Sequence, residues 1–517
     1  MPIFEIDRRD FLAAIAGSTL VYTAEAQTPS GPRPSITVRI DRDLVNLDPA
    51  NRTGPWDGNV MRAVYQRLMR QKPNSTELEL DAAAEVKQLS PTVIEFKLKP
   101  GQMFSDGFGE MTAEDVKFSF ERIGLPPKDG AKEAAYKADW LHLTGVEVKS
   151  KYEGRIVLSQ ARANLLDVVV ADGSGCIVSK KAVEQRGAEF ATKPVGSGPY
   201  VLTSLERQKG ATLKRNPGYA GGRKPRFDEI AIRFIADART TDLALRSGEL
   251  DFAVLSPSAA EPLRSVAGLT VVDQPSIAYV WLGMNVEKGP LSDLRVRQAI
   301  RLALDVDQML AAGYNSKAPR LNTLLPPQIL GHWKEAPVYK RNVAEAKSLL
   351  AAAGASNLKL KLLVLNQANY QSMALVARAL LAEAGITIEV DAQEGGTFWN
   401  SGKGDTGKNV ELFITRFNGK HDPNFIMQWF LSAQIGNWNW QRWNSPEFDA
   451  LYAKSADELD AAKRRQFVID AQKVMDKSSA FVWLTNEANS LVYRNWLRPA
   501  AVPGWLDWQY DEFGAAS

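Results

Sequence analysis

LKLKLLVLNQANYQSMALVARALLAEAGITIEV, residues 358–390, changes its periodicity twice, and that change decides the fold class. Leu358 to Leu365 is an apolar run of strand length. Met373 to Ala384 spaces its apolar residues for a helix face, and Ile386 to Val390 returns to strand alternation. Strand, helix and strand in succession are expected of an α/β layer.

The same grammar extends outward. Upstream, Tyr279 to Met284 reads as a buried strand, Asp293 to Gly313 as one long amphipathic helix, and Val343 to Ala353 as another helix. Earlier still, Ser35 to Ile40, Tyr200 to Leu205, Ala211 to Arg215 and Phe227 to Ile235 alternate as strands. Val60 to Arg70 has helical spacing. Val93 to Leu98 is a strand closed by Pro100-Gly101, and Thr112 with Glu114 and Asp115 marks a capped helix start. No short repeat or low-complexity tract interrupts this mixed α and β chain.

Composition narrows the function classes. The chain has 517 residues with 63 Lys+Arg against 60 Asp+Glu, signs interspersed and without a basic block, so no phosphate-tracking stripe exists and nucleic acid is not expected as a partner. This length calls for two or three domains. Asp7-Arg8-Arg9-Asp10-Phe11-Leu12, a short apolar run and Ala24-Glu25-Ala26 read as a twin-arginine export signal over residues 1–26, which places the mature chain in the periplasm. That run is too short to span a bilayer, which takes roughly 20 apolar residues. Cys176, the single cysteine, excludes an internal disulfide and a lipid anchor at the cleavage site, and reads as a small buried hydrophobe.

A further set of segments is identifiable by order and spacing: Phe96 to Gly101 with Phe104-Ser105-Asp106-Gly107, Thr112 to Ser119, Gly196-Ser197-Gly198-Pro199-Tyr200, and Met284-Asn285. Leu291 to Ile300, Asp422-Pro423-Asn424-Phe425 and Asn444 to Asp449 complete it. Across nearly the whole mature chain this pattern resembles the family 5 extracellular solute-binding proteins, the peptide, nickel and opine binders that serve ATP-driven importers. The resemblance implies a type II periplasmic binding protein fold of the large cluster: two α/β lobes joined by crossing strands, closing on a ligand by hinge motion, with an extra inserted domain. The expected boundaries are 27–60, 192–272 and 481–517 for the first lobe, 61–191 for the insert and 273–480 for the second lobe. A monomer, a small-molecule or short-peptide ligand and a membrane permease partner go with that reading.

A cleft between lobes needs aromatic faces and a few placed polar groups. Candidates are Thr53 and Trp56 in the polar loop after the first strand, Asn366 and Asn369 after the strand ending at Leu365, and the loop Arg416, Asn418, Gly419, Lys420 and His421. In dipeptide binders of the resembled family a carboxylate three residues before the Asp of Asp-Pro holds the ligand amine. Gly419 stands there in this chain, flanked by Arg416 and Lys420, and this change of sign suits a ligand carboxylate or phosphate. Trp438 and Trp440, alternating in a segment read as extended, complete the set as stacking platforms, whereas Trp443 reads as core.

Catalysis has little to build on. His142, His332 and His421 are far apart and lack metal-ligand spacing, Gly196-Ser197-Gly198 is no nucleophile elbow, and no phosphate-cradling loop is present. No cofactor or metal is expected, and no enzyme activity. The alternatives are an opine or metal-chelate binder of the same fold, with His421 engaging the chelate, and, more remotely, an exported hydrolase.

Overall fold

The computed structural model describes residues 34–52, 55–127, 133–315, 318–504 and 507–516. The export signal expected at residues 1–26 lies outside them. Ser35–Ser517 forms one compact unit.

A ten-stranded sheet organises the chain. Its order is Tyr200–Glu206, Gly210–Arg215, Glu229–Phe234, Ser35–Ile40, Phe252–Leu255, Phe481–Arg494, Leu269–Met284, Leu412–Phe417, Lys359–Leu365 and Thr387–Gln393. The opening segment folds as read: Lys359–Leu365 pairs in parallel with Thr387–Gln393 across the helix Ala368–Glu383. Two long antiparallel strands, Leu269–Met284 and Phe481–Arg494, run side by side through the middle and tie the two ends of the sheet together. Residues 276–284 are buried without a break, because helices and loops cover both faces there. Their register shifts between Pro275 and Tyr279.

A separate four-stranded antiparallel sheet, in the order Ala83–Ser90, Val93–Leu98, Glu153–Leu158 and Leu143–Val148, lies within the span expected for the insert. Its apolar face does not form a core of its own. Phe96, Trp140 and Ile156 belong to the same buried cluster as Val38, Phe252 and Trp508. The other end of the sheet is packed by two clusters, one around Leu282, Ile300 and Leu381 and an aromatic one around Trp281, Phe413 and Phe430.

Three local expectations are corrected. The single helix over 293–313 is two helices, Leu294–Ala303 and Val306–Tyr314, because Leu304 is extended and Asp305 caps a new start by accepting from the Gln308 amide. The first helix is Pro55–Val64, so Met69–Gln71 is free to pair as a strand. The segment around Trp438 and Trp440 is not extended. Asn439 is fully buried and its side-chain amide donates to the carbonyls of Phe430, Leu431 and Trp443, which folds the chain into turns. Asp422 does cap a helix with Pro423 in its first position, and Thr112 forms the expected capping box with Asp115.

Candidate functional site

A cavity of about 470 Å³ opens where the two ends of the chain's architecture meet. One wall comes from Arg52, Tyr136, Asp139, Arg162 and Asp172. Later segments add the strand irregularity Ser276 to Ala278, the loop residues Arg416 and Asn418 to Lys420, Phe425, Trp429 and Tyr452.

Charge is its main feature. Lys420 Nζ sits 2.9 Å from Asp172 Oδ2 and 3.8 Å from Asp139 Oδ2. On the far side of these acids, Arg52 Nη2 is 3.2 Å from Asp139, and Arg62 Nη2 is shared between Asp172 Oδ1 at 2.6 Å and Asp507 Oδ2 at 2.5 Å. Arg52 Cζ lies over the Tyr136 ring, 3.5 Å from its centroid, and the guanidinium donates to Ser174 Oγ. Gly173 permits this approach, since a Cβ there would come within 2.7 Å of the Arg52 Nε. Burial pushes the Asp172 carboxyl up, but Lys420, Arg62 and Arg52 outweigh it and hold the group well below the ordinary carboxylate range. Burial likewise opposes the Lys420 charge, and Asp139 and Asp172 prevail, so its pKa is raised. Asp507, with a share in one guanidinium and Asp172 as a neighbour, is pushed up to about 6 by burial.

The structure brings Arg416, Asn418, Gly419 and Lys420 to the cavity. It also corrects the role expected of the two cations. Lys420 is paired as above, and Arg416 Nε lies 2.9 Å from Glu487, which also accepts from the hydroxyls of Tyr314 and Tyr370. Asn418 accepts from Arg416 Nη2 at 2.5 Å, so the charges that seemed free for a ligand anion are met inside the protein. Gly419 has a steric reason: a Cβ would lie 2.6 Å from the Ile277 carbonyl oxygen, which leaves no room for the carboxylate of the dipeptide binders.

Other candidates lie elsewhere. Thr53 is outside the described residues. Trp56 is buried against Trp508 with ring centroids 5.3 Å apart, so it is core and not a cavity wall. Asn366 is exposed and hydrogen-bonded to Glu394, away from the cavity, and Asn369 reaches it indirectly by donating to Tyr314, which bonds Glu487. His421 is turned to the Pro503 carbonyl and does not line the cavity. Trp440 is 1 % exposed among Phe398, Phe413 and Gly402, so packing and not stacking on a ligand explains it. Trp438 stands behind the wall, edge-on to Phe417 and to Trp429, and Trp429 is the tryptophan that faces the cavity. Cys176 is buried, and burial raises its thiol to about 11. Among the described residues no group of three or more His, Cys, Asp or Glu side chains is placed to hold a metal ion.

Sequence reading missed Asp139, Arg162, Asp172, Trp429 and Asp507. Asp172 carried a usable signal, since it interrupts the run of small and apolar residues from Val168 to Ile177 that is otherwise uncharged.

Known proteins resemble both the sequence and the shape. The probable D,D-dipeptide-binding periplasmic protein DdpA of Escherichia coli (strain K12) is 27% identical over 493 residues, 93% of each chain. The periplasmic binding protein DppA from Helicobacter pylori, solved with the peptide STSA, superposes with a TM-score of 0.79 at 23% identity over 93% of this chain and 98% of that one. MoaA from A. tumefaciens R10, solved with mannopinic acid, gives 0.76 at 24% identity over 94% and 100%. The family model for bacterial extracellular solute-binding proteins, family 5, matches residues 78–438, and the chain belongs to that family.

Proposed function

We propose that this chain is the periplasmic solute-binding component of an ATP-driven importer, and that it captures a short peptide or amino-acid conjugate by closing two lobes around the cavity. The observation that carries the reading is the cavity itself, lined by residues of both proposed lobes and of the insert and holding the Lys420–Asp172 pair in its lining. The lobes correspond to residues 27–60, 192–272 and 481–517, and 273–480, with 61–191 inserted. In this reading the two long strands flex at Ser276 to Ala278, where their register is irregular. A ligand favours closure to the extent that it contacts the closed form better than the open one. Trp429, Phe425 and Tyr136 offer ring faces, and Asn418, Gln428 and Asn489 offer hydrogen bonds, a mixture suited to peptide planes. Relatives named for D,D-dipeptides and for glutathione support the ligand class.

The role is binding and release without bond making. A metal chelate is the less favoured reading, because His421 is engaged with the Pro503 carbonyl and does not line the cavity. Export by the twin-arginine route and action as a monomer with a permease complete the proposal. It is tested by a thermal-shift screen of D-alanyl-D-alanine, methionyl-leucine, glutathione and mannopinic acid, with the ligand recovered and weighed. Stabilisation by at least one, recovered at unchanged mass, supports the reading, and conversion of any of them contradicts it.

A further inference from the structure

The cations on the cavity wall are unequally matched. Arg52, Arg62 and Lys420 face Asp139, Asp172 and Asp507, and Arg416 faces Glu487. Arg162 is different. Its Nε donates to Asn164 Oδ1 at 2.9 Å and its Nη1 to the carbonyls of Asp139 at 2.6 Å and Ala138 at 3.4 Å, all neutral acceptors. Among the described residues no carboxylate lies within ion-pair distance of it and its Nη2 has no hydrogen-bond partner. Asp422 feels its charge but is taken up by Arg464 and by Asn164.

Beside Arg162 stands Tyr452, from the helix Pro446–Asp457, whose Ala456 carbonyl accepts from the Ala163 amide at 2.9 Å; both side chains line the cavity and influence each other electrostatically. Its hydroxyl makes no hydrogen bond among the described residues. An oriented guanidinium with one free edge and a free phenol, both lining one cavity, form a two-donor cradle. Burial disfavours the lone Arg162 charge, and an anion bound there relieves that cost.

We infer that Arg162 and Tyr452 hold a carboxylate of the captured solute, and that this contact, resting on the solute-binding reading above, selects acidic ligands over their neutral derivatives. By the bounds proposed above Arg162 belongs to the insert and Tyr452 to the second lobe, so a carboxylate held by both also favours the closed arrangement. It replaces Arg416 and Lys420 as the place where a ligand anion is met.

The test offers D-alanyl-D-alanine, methionyl-leucine, glutathione and mannopinic acid to the mature protein, each as free acid and as neutral amide, by thermal shift and then calorimetry. The expected result is binding of at least one free acid with its amide weaker by about 10- to 100-fold. Arg162→Gln and, separately, Tyr452→Phe are expected to shrink that ratio while the amide binds as before. An acid and amide that bind wild type equally, or an acid preference that survives both substitutions, overturns the cradle and leaves solute binding standing. A panel in which no member binds contradicts the solute-binding reading, and the cradle falls with it.

Discussion

Lys420 Nζ and Asp172 Oδ2 meet at 2.9 Å in the cavity lining although 248 positions separate them in the chain. Asp172 simultaneously holds Arg62 and lies 3.9 Å from Arg52, so one buried carboxylate organises three cations. Removing the acid therefore strands more charge than removing the lysine.

Asp172→Asn is expected to destabilise the protein by about 3–5 kcal/mol, the cost of leaving buried charges without a partner. Lys420→Met, which leaves Asp172 with two arginines, is expected to cost less than half of that. Denaturant unfolding of the two variants checks the order, and a larger loss for Lys420→Met would contradict it.

The pH dependence follows from Asp507. Its carboxyl is raised by burial to about 6 from an ordinary value near 4, so the folded state holds a proton that the unfolded state releases between those values. Stability contributed by this group is present below about pH 4 and is lost as pH rises through 6. The stability of Asp507→Asn relative to wild type is thus expected to improve from pH 4.5 to pH 7. Unfolding curves at both pH values read this, and a difference independent of pH would refute it.

Gly419→Ala places a Cβ 2.6 Å from the Ile277 carbonyl and 3.2 Å from the Ile426 side chain. Because backbone and not a flexible tip is in the way, a loss of about 1–3 kcal/mol is expected. An unchanged melting temperature would show that the loop and the strand irregularity move apart freely.

The tryptophans separate by role. Trp440→Ala is expected to cost about 3–5 kcal/mol of stability, as for a fully buried aromatic. Trp429→Ala is expected to leave stability nearly intact and weaken ligand binding by about 1–3 kcal/mol, as for a cavity-facing ring. Equal effects of the two on affinity would contradict the assignment.

These contrasts show what was legible in the sequence. The residues 358–390 and the capping signals at Thr112 and Asp422 act locally, through periodicity and side chain to backbone bonds a few positions away, so they folded as read. The loop from Arg416 to Lys420 was legible as a cavity wall because it follows a buried strand. What Lys420 does there was not legible, since its partner Asp172 is brought in by the sheet topology from 248 positions away. Trp440 failed for a similar reason: an alternating spacing suggested an extended segment, and the Asn439 amide overrode it with turns.

The central claim, that the cavity captures an acidic solute without changing it, is tested most directly by native mass spectrometry of the mature protein incubated with the four-member panel and then denatured. The account predicts one small acid per chain in the native spectrum, released on denaturation at its original mass. A released species of altered mass, or spectra that show the protein alone with every panel member, would contradict it.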